Sequence, residues 1–227
     1  MVLADAPSAD DPAQPSRLPS PPWLALSVVT LLGLAIGGLA PLGHLVTGGG
    51  ITAVELLSDP AELTEIGWYS GGVASLNMFL WAGAAALFLT GAAGLWRQDR
   101  RLALVLGWIG VLATVILIDD RFLLHELVLP HFGIPEIVSY AAYGLAGLAL
   151  VGLGWRTLLR LQESWVLAWA LLWMGLSVLL DLSGIDSDAR RVAEEMAKMV
   201  GATALLAFPA LLLARLLSAP RHRDLHN

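Results

Sequence analysis

Cysteine is absent from the 227 residues, which excludes disulfides, thiolate metal ligands and a cysteine nucleophile. Charge is scarce as well. Charged residues make up 14% of the chain and hydrophobic ones 57%, where a soluble domain carries about 25% charged and about 45–50% apolar residues. That imbalance excludes an ordinary soluble enzyme and a disordered chain. The net charge of −6 removes the basic footprint of a nucleic-acid-binding protein, so no nucleic acid partner is expected. Lysine occurs once among 13 basic residues, at Lys198.

What remains is apolar, with a mean hydropathy of +0.72. Six long apolar segments run near 22–45, 69–96, 102–127, 137–156, 165–183 and 191–216. Each reaches or exceeds the roughly 20 residues that carry a helix across about 30 Å of hydrocarbon. The runs are too long for strands and lack period-two alternation. The sequence therefore predicts an all-α, polytopic bundle of six transmembrane helices, with the lipid bilayer as its main partner. Residues 1–21, rich in Pro and Asp, read as a disordered tail, and 219–227 as a second tail. Segment 51–66 is too polar to span, and Ser58-Asp59-Pro60 reads as the start of a short surface helix.

Arginine sets the expected orientation. Arg97, Arg100, Arg101, Arg156, Arg160, Arg215, Arg221 and Arg223 fall in alternate loops and the C-terminal tail, with Arg17 in the N-terminal tail, whereas 46–68 holds no basic residue. Both termini are then cytoplasmic, in a bacterial inner membrane. Trp23, Trp96, Trp155 and Trp165 fall near the inner interface and Trp68 near the outer one, as an aromatic belt.

With the helix rise as a ruler, His44, Asn77, Asp119, Asp120, Asp181 and Glu195 come to one layer near the outer leaflet. The third segment is the most informative, because Asp119-Asp120-Arg121 is followed by more apolar residues and then His125-Glu126. Continued as one helix, it puts Asp119 and Glu126 about 20° apart on one face, with His125 turned away from Asp119. On the last segment Arg191, Glu194, Glu195 and Lys198 share a face, and an i,i+4 pair joins Glu194 to Lys198. The two motifs are placed to face each other across the outer half of the bundle. His125 taken by itself reads as an interfacial hydrogen-bonding residue, His131 as loop and His44 as interfacial. The Trp165, Trp169 and Trp173 stripe reads as packing.

The candidate catalytic residues are Asp119, Asp120, Glu126, Glu194, Glu195 and Lys198. Clustered carboxylates raise one another's affinity for protons, which suits general acid–base work, and Lys198 is placed to hold an anionic group. Asp119, His125, Glu126, Glu194 and Glu195 form a candidate ligand set for a divalent metal ion. The alternative is that these charges only satisfy one another at helix ends. No apolar segment carries H-x-x-x-H, which sets aside the membrane zinc hydrolases of the alkaline-ceramidase type.

The pairing of Asp119, Asp120, His125 and Glu126 in D-[DE]-x4-H-E with Glu194, Glu195 and Lys198 in E-E-x-x-[KE] resembles a group of uncharacterised multi-pass bacterial membrane proteins. The resemblance covers roughly residues 65–205 and implies membrane topology without an activity. Three readings stay open: a metal- or proton-dependent membrane enzyme acting on a lipid-linked or extracytoplasmic small molecule; a non-catalytic membrane subunit or sensor; and a proton-coupled transporter, for which few deeper polar residues are available.

Overall fold

A computed structural model describes residues 20–57 and 71–218. Among these residues every regular element is helical. The elements are α1 (Trp23–Gly37), α2 (Leu39–Val46), α3 (Ala53–Leu57), α4 (Gly72–Leu95), α5 (Arg100–Phe122), a π-helical turn (Leu124–Val128), α6 (Leu129–His131), α7 (Glu136–Leu158), α8 (Ser164–Asp181) and α9 (Asp188–Ser218). Six helices are long and apolar enough to cross a membrane: α1 with α2, α4, α5, α7, α8 and α9. The protein is a multi-pass membrane protein with an all-α bundle. Most of the two expected tails, and the helix start expected at Ser58, lie outside the described residues.

The short helix α3 stands just before that point. Its start follows from a capping box: the Glu55 carboxylate accepts from the Thr52 backbone N–H at 2.6 Å and the Thr52 hydroxyl accepts from the Glu55 N–H at 3.1 Å. The Thr52 N–H and the Thr52 hydroxyl, which also donates to the carboxylate at 2.8 Å, hold the Glu55 carboxyl below its usual range. Leu57 at the end of α3 is buried with Ala40, Val73 and Met199, and so docks the loop onto α4 and α9.

Helix α9 is the axis of the bundle. Between Ala197 and Leu205 every residue but Lys198 is buried, which is the pattern of a helix surrounded on all sides. It packs most extensively against α8, α1 and α4. Small residues permit the closest approaches. A Cβ on Gly33 would lie 2.5 Å from Val200 Cα, and one on Gly201 would lie 2.7 Å from Met174 Cγ. Deeper in the bundle Phe88 and Phe208 stack at 5.7 Å, both fully buried among Ala84, Leu106 and Val166. At the far end Arg215 bonds both oxygens of Glu163, at 3.2 and 3.1 Å, tying α9 to the residue that precedes α8.

The third segment departs from expectation. It does not continue as one α-helix to 127. Helix α5 stops at Phe122, Leu123 takes a left-handed conformation at φ 48°, and the chain resumes as the π-helical turn. The left-handed conformation costs a non-glycine residue roughly 1–2 kcal/mol. Burial of the Leu123 side chain, 4% exposed, offsets it, and so does Asp119, whose Oδ1 accepts from the freed His125 backbone N–H at 2.9 Å. The shared face inferred for Asp119 and Glu126 is therefore broken.

Helix α7 is the peripheral member, packed mainly on α5, and Gly144, Gly147 and Gly152 face open space. This contrast gives a test. Gly33→Ala should lower stability by about 1–3 kcal/mol, because Val200 main chain must move, whereas Gly147→Ala should be neutral or slightly stabilising. Thermal unfolding of the purified protein in detergent measures both.

Candidate functional site

The acidic end of the bundle is where α4 begins, α5 and α8 end, and α7 and α9 begin. A cavity of about 410 Å³ opens there, lined on its polar side by Asn77, Asp120, Glu126, Glu136, Asp181, Arg190, Arg191, Glu194, Glu195 and Lys198. Six carboxylates therefore face three cations, all of them on α9.

The charges form one connected ring. Asp119 is buried at 3% exposure. Its Oδ1 takes the His125 main-chain N–H, and its Oδ2 takes the Tyr143 hydroxyl at 2.6 Å. His125 Nδ1 sits 2.8 Å from the same Oδ2, beside it and out of line for a hydrogen bond. His125 Nε2 reaches the Tyr140 hydroxyl at 3.3 Å. That hydroxyl also lies 2.8 Å from Asp181 Oδ2 and 3.0 Å from Glu136 Oε1. Asp181 Oδ1 is 3.6 Å from Arg190. Arg190 donates to Glu194 at 2.7 Å and to the Leu180 carbonyl at 3.3 Å, clamping the end of α8 to α9. Lys198 closes the ring, bonding Glu195 at 2.8 Å and standing 4.0 Å from Glu194 and 3.9 Å from Asp120.

The site residues named from sequence fall into three groups. Asp120, Glu126, Glu194, Glu195 and Lys198 line the cavity. Asp119 lies behind it, among Tyr143 and His125, because the break at Leu123 turns the following residues away from the α5 face. His125 is not turned away from Asp119. It is 6% exposed and packs its ring on Tyr140 at 5.3 Å. Among the described residues no three His, Asp or Glu side chains converge as a metal ligand set. The physical reason is pairing: Asp119 faces His125 and Tyr143, while Glu194 and Glu195 face Arg190 and Lys198. His44 bonds the Ile51 carbonyl at 2.9 Å and does not line the cavity.

Four contributors were missed by reading charge alone: Glu136, Tyr140, Tyr143 and Arg190. The tyrosines sit in an apolar run, where charge does not point to them. The signal that finds them is spacing, since Glu136, Tyr140 and Tyr143 follow i, i+4, i+7 and share one face of α7.

Burial raises the affinity of Glu126 for its proton. His125 and Lys198 act against that shift, and Asp120 and Glu136 add to it. A carboxyl whose folded-state affinity exceeds its unfolded value stabilises the fold most at low pH. That contribution is lost as pH rises through the folded-state pKa. Melting temperature should accordingly fall as pH climbs above the usual glutamate range, and Glu126→Gln, neutral at every pH, should flatten that part of the profile. Melting curves of both proteins between acidic and neutral pH measure it.

A family model described as Domain of unknown function (DUF8692) matches residues 23–213, which takes in five of the spanning helices whole and most of α9. No curated protein and no solved structure matches the chain.

Proposed function

The chain belongs to this family of unknown function, and we propose that it is a membrane enzyme with a proton-transfer site, acting on a polar or lipid-linked small molecule that enters the cavity from the aqueous face. The distribution of arginine supports a bacterial inner-membrane setting with both termini cytoplasmic, which puts the cavity on the extracytoplasmic side.

The observation that carries the reading is the Tyr140 hydroxyl. It holds one hydrogen, yet Asp181, Glu136 and His125 all stand within 3.3 Å of it. It donates to one partner at a time, and each further hydrogen bond needs a proton supplied by the partner. A proton therefore moves by exchange. Tyr140 gives its hydrogen to the Asp181 carboxylate while a protonated Glu136 carboxyl, or His125 as the imidazolium, returns one to the phenol oxygen and is left as carboxylate or neutral imidazole. The phenol stays neutral, one acceptor gains a proton and one donor loses it. Glu126 and Glu136, whose side chains are 40% and 39% exposed, connect this exchange to water. Asp120 and Lys198 also line the cavity, so a bound substrate meets both a carboxylate and an ammonium group. This is the arrangement general acid–base catalysis needs.

A second reading, a non-catalytic subunit, draws support from the Arg190 clamp between α8 and α9. Charges that only join helices have no need of an open cavity between them, which favours the first reading. A transporter draws least support, because beneath the cavity Ser177 and Thr203 are the only buried polar side chains among the described residues, set among Trp81, Ala84, Phe88 and Phe208.

The test is infrared spectroscopy of the protein in lipid bilayers. The wild type should show a protonated-carboxyl band that titrates with pH. Tyr140→Phe should shift or abolish that band while lowering stability by no more than about 1–2 kcal/mol, the range of hydrogen bonds inside membranes. Identical carboxyl spectra for the two proteins at every pH would overturn the proton reading.

A further inference from the structure

Asn77 is the polar residue that the charge ring leaves out. It stands on α4, is 2% exposed, and its side-chain carbonyl oxygen has no hydrogen-bond partner. A buried acceptor without a donor costs about 1–3 kcal/mol. Yet the Asn77 side chain lines the cavity, so a ligand held there can supply the missing donor. Rotation of the amide about its last torsion turns the oxygen toward it.

The rest of the wall says what kind of donor fits. Six carboxylates against three cations leave the lining with a formal excess of three negative charges. Two of the cations, Arg190 and Lys198, already bond Glu194 and Glu195. Glu126 and Glu136 come from the other side, with His125 as their ion-pair contact at 3.5 and 3.8 Å. The cavity thus favours a positive ligand rich in N–H groups. A metal ion is a poor occupant, since it needs several oxygens to converge within about 2.0–2.6 Å and no such group forms among the described residues. Carboxylates set apart around 410 Å³ suit an extended cation, within the range of roughly 300–1,000 Å³ typical of small-molecule sites. Leu57, Ala74, Met78 and Leu123 also line the cavity and offer apolar contact to a short aliphatic body.

We infer that the cavity binds a small alkylammonium ion, an N–H group taken by Asn77 Oδ1, its charge balanced by the carboxylates of the lining, Glu126 and Glu136 among them, and its carbon chain laid on the apolar residues. This names the ligand class for the proton-transfer site and rests on that reading for its catalytic meaning only. The geometry of binding stands apart from it.

The probe is n-butylammonium chloride, added to the purified full chain in detergent, with sodium chloride at matched ionic strength and n-butanol as controls. Butylammonium should raise the melting temperature to a saturable plateau, and the controls should not. Asn77→Leu, of similar size and without the acceptor, should have a higher melting temperature than wild type before ligand and a half-saturation weaker by about tenfold, the usual effect of losing one hydrogen bond to a charged group. Glu126→Gln should weaken half-saturation in the same direction and provides the second variant. No saturable shift in the wild type, an unchanged half-saturation in both variants, or a shift with inorganic phosphate and none with butylammonium would each overturn the assignment. The carboxyl infrared band is read on the same wild-type preparation. The band without the butylammonium shift overturns the ligand class alone, and the shift without the band overturns the proton reading alone.

Discussion

The Asp119 carboxylate is the interaction on which the polar end of this bundle depends. A helix that stops near the edge of a membrane leaves its last main-chain carbonyls unpaired, the turn that restarts after it leaves N–H groups unpaired, and each unsatisfied group is expensive there. Asp119 meets that demand at one position by accepting from His125. Its second oxygen takes the Tyr143 hydroxyl, so the same side chain ties α5 to α7, which otherwise packs loosely on the bundle. Ending α5 at this point folds His125 inward, and His125 in turn reaches Tyr140. The sequence of contacts runs outward from one buried carboxylate to the proton-sharing hydroxyl.

Helix α9 answers a different constraint. Its middle is surrounded on all sides and is built from small and apolar residues, with Gly201 against Met174 and Gly33 against Val200. Its first turns carry Arg190, Arg191, Glu194, Glu195 and Lys198, which face the cavity. Mixed signs on one helix keep most of its charges neutralised locally, so the helix can stand at the centre of the bundle. The other carboxylates come from α5, the π-helical turn, α7 and α8. Asp120 and Asp181 among them reach the α9 cations Lys198 and Arg190, and the remaining excess of acid gives the cavity its negative character.

Much of this was legible in the residues. Six apolar runs predicted six spanning helices, and the observed bounds differ by a few residues at most ends because helix ends are decided by caps and not by hydropathy. The layer holding Asn77, Asp120, Asp181 and Glu195 was found by counting helix rise, since that distance is the same for every straight helix. The site was less legible. Continuing α5 through Leu123 put Asp119 and Glu126 on one face, an inference that is sound for an unbroken helix and fails once a leucine adopts a left-handed conformation. Nothing in Arg121-Phe122-Leu123-Leu124 marks such a break, as there is no Gly or Pro. The tyrosines were overlooked because hydroxyls embedded in apolar runs change hydropathy little.

The sequence by itself determined the fold class, the spans and the end of the bundle where charge collects, because burial in lipid acts on each segment according to its own composition. Only the tertiary structure decided which charges meet. Pair geometry depends on where α5 breaks, on how α7 leans against it, and on the rotation of α9 about its axis. Those are set by contacts between segments far apart in the chain, and no local pattern encodes them. For that reason Asp119, a candidate catalytic residue by sequence, became the support behind the cavity, and Tyr140, which charge alone passes over, became the link between Asp181, Glu136 and His125.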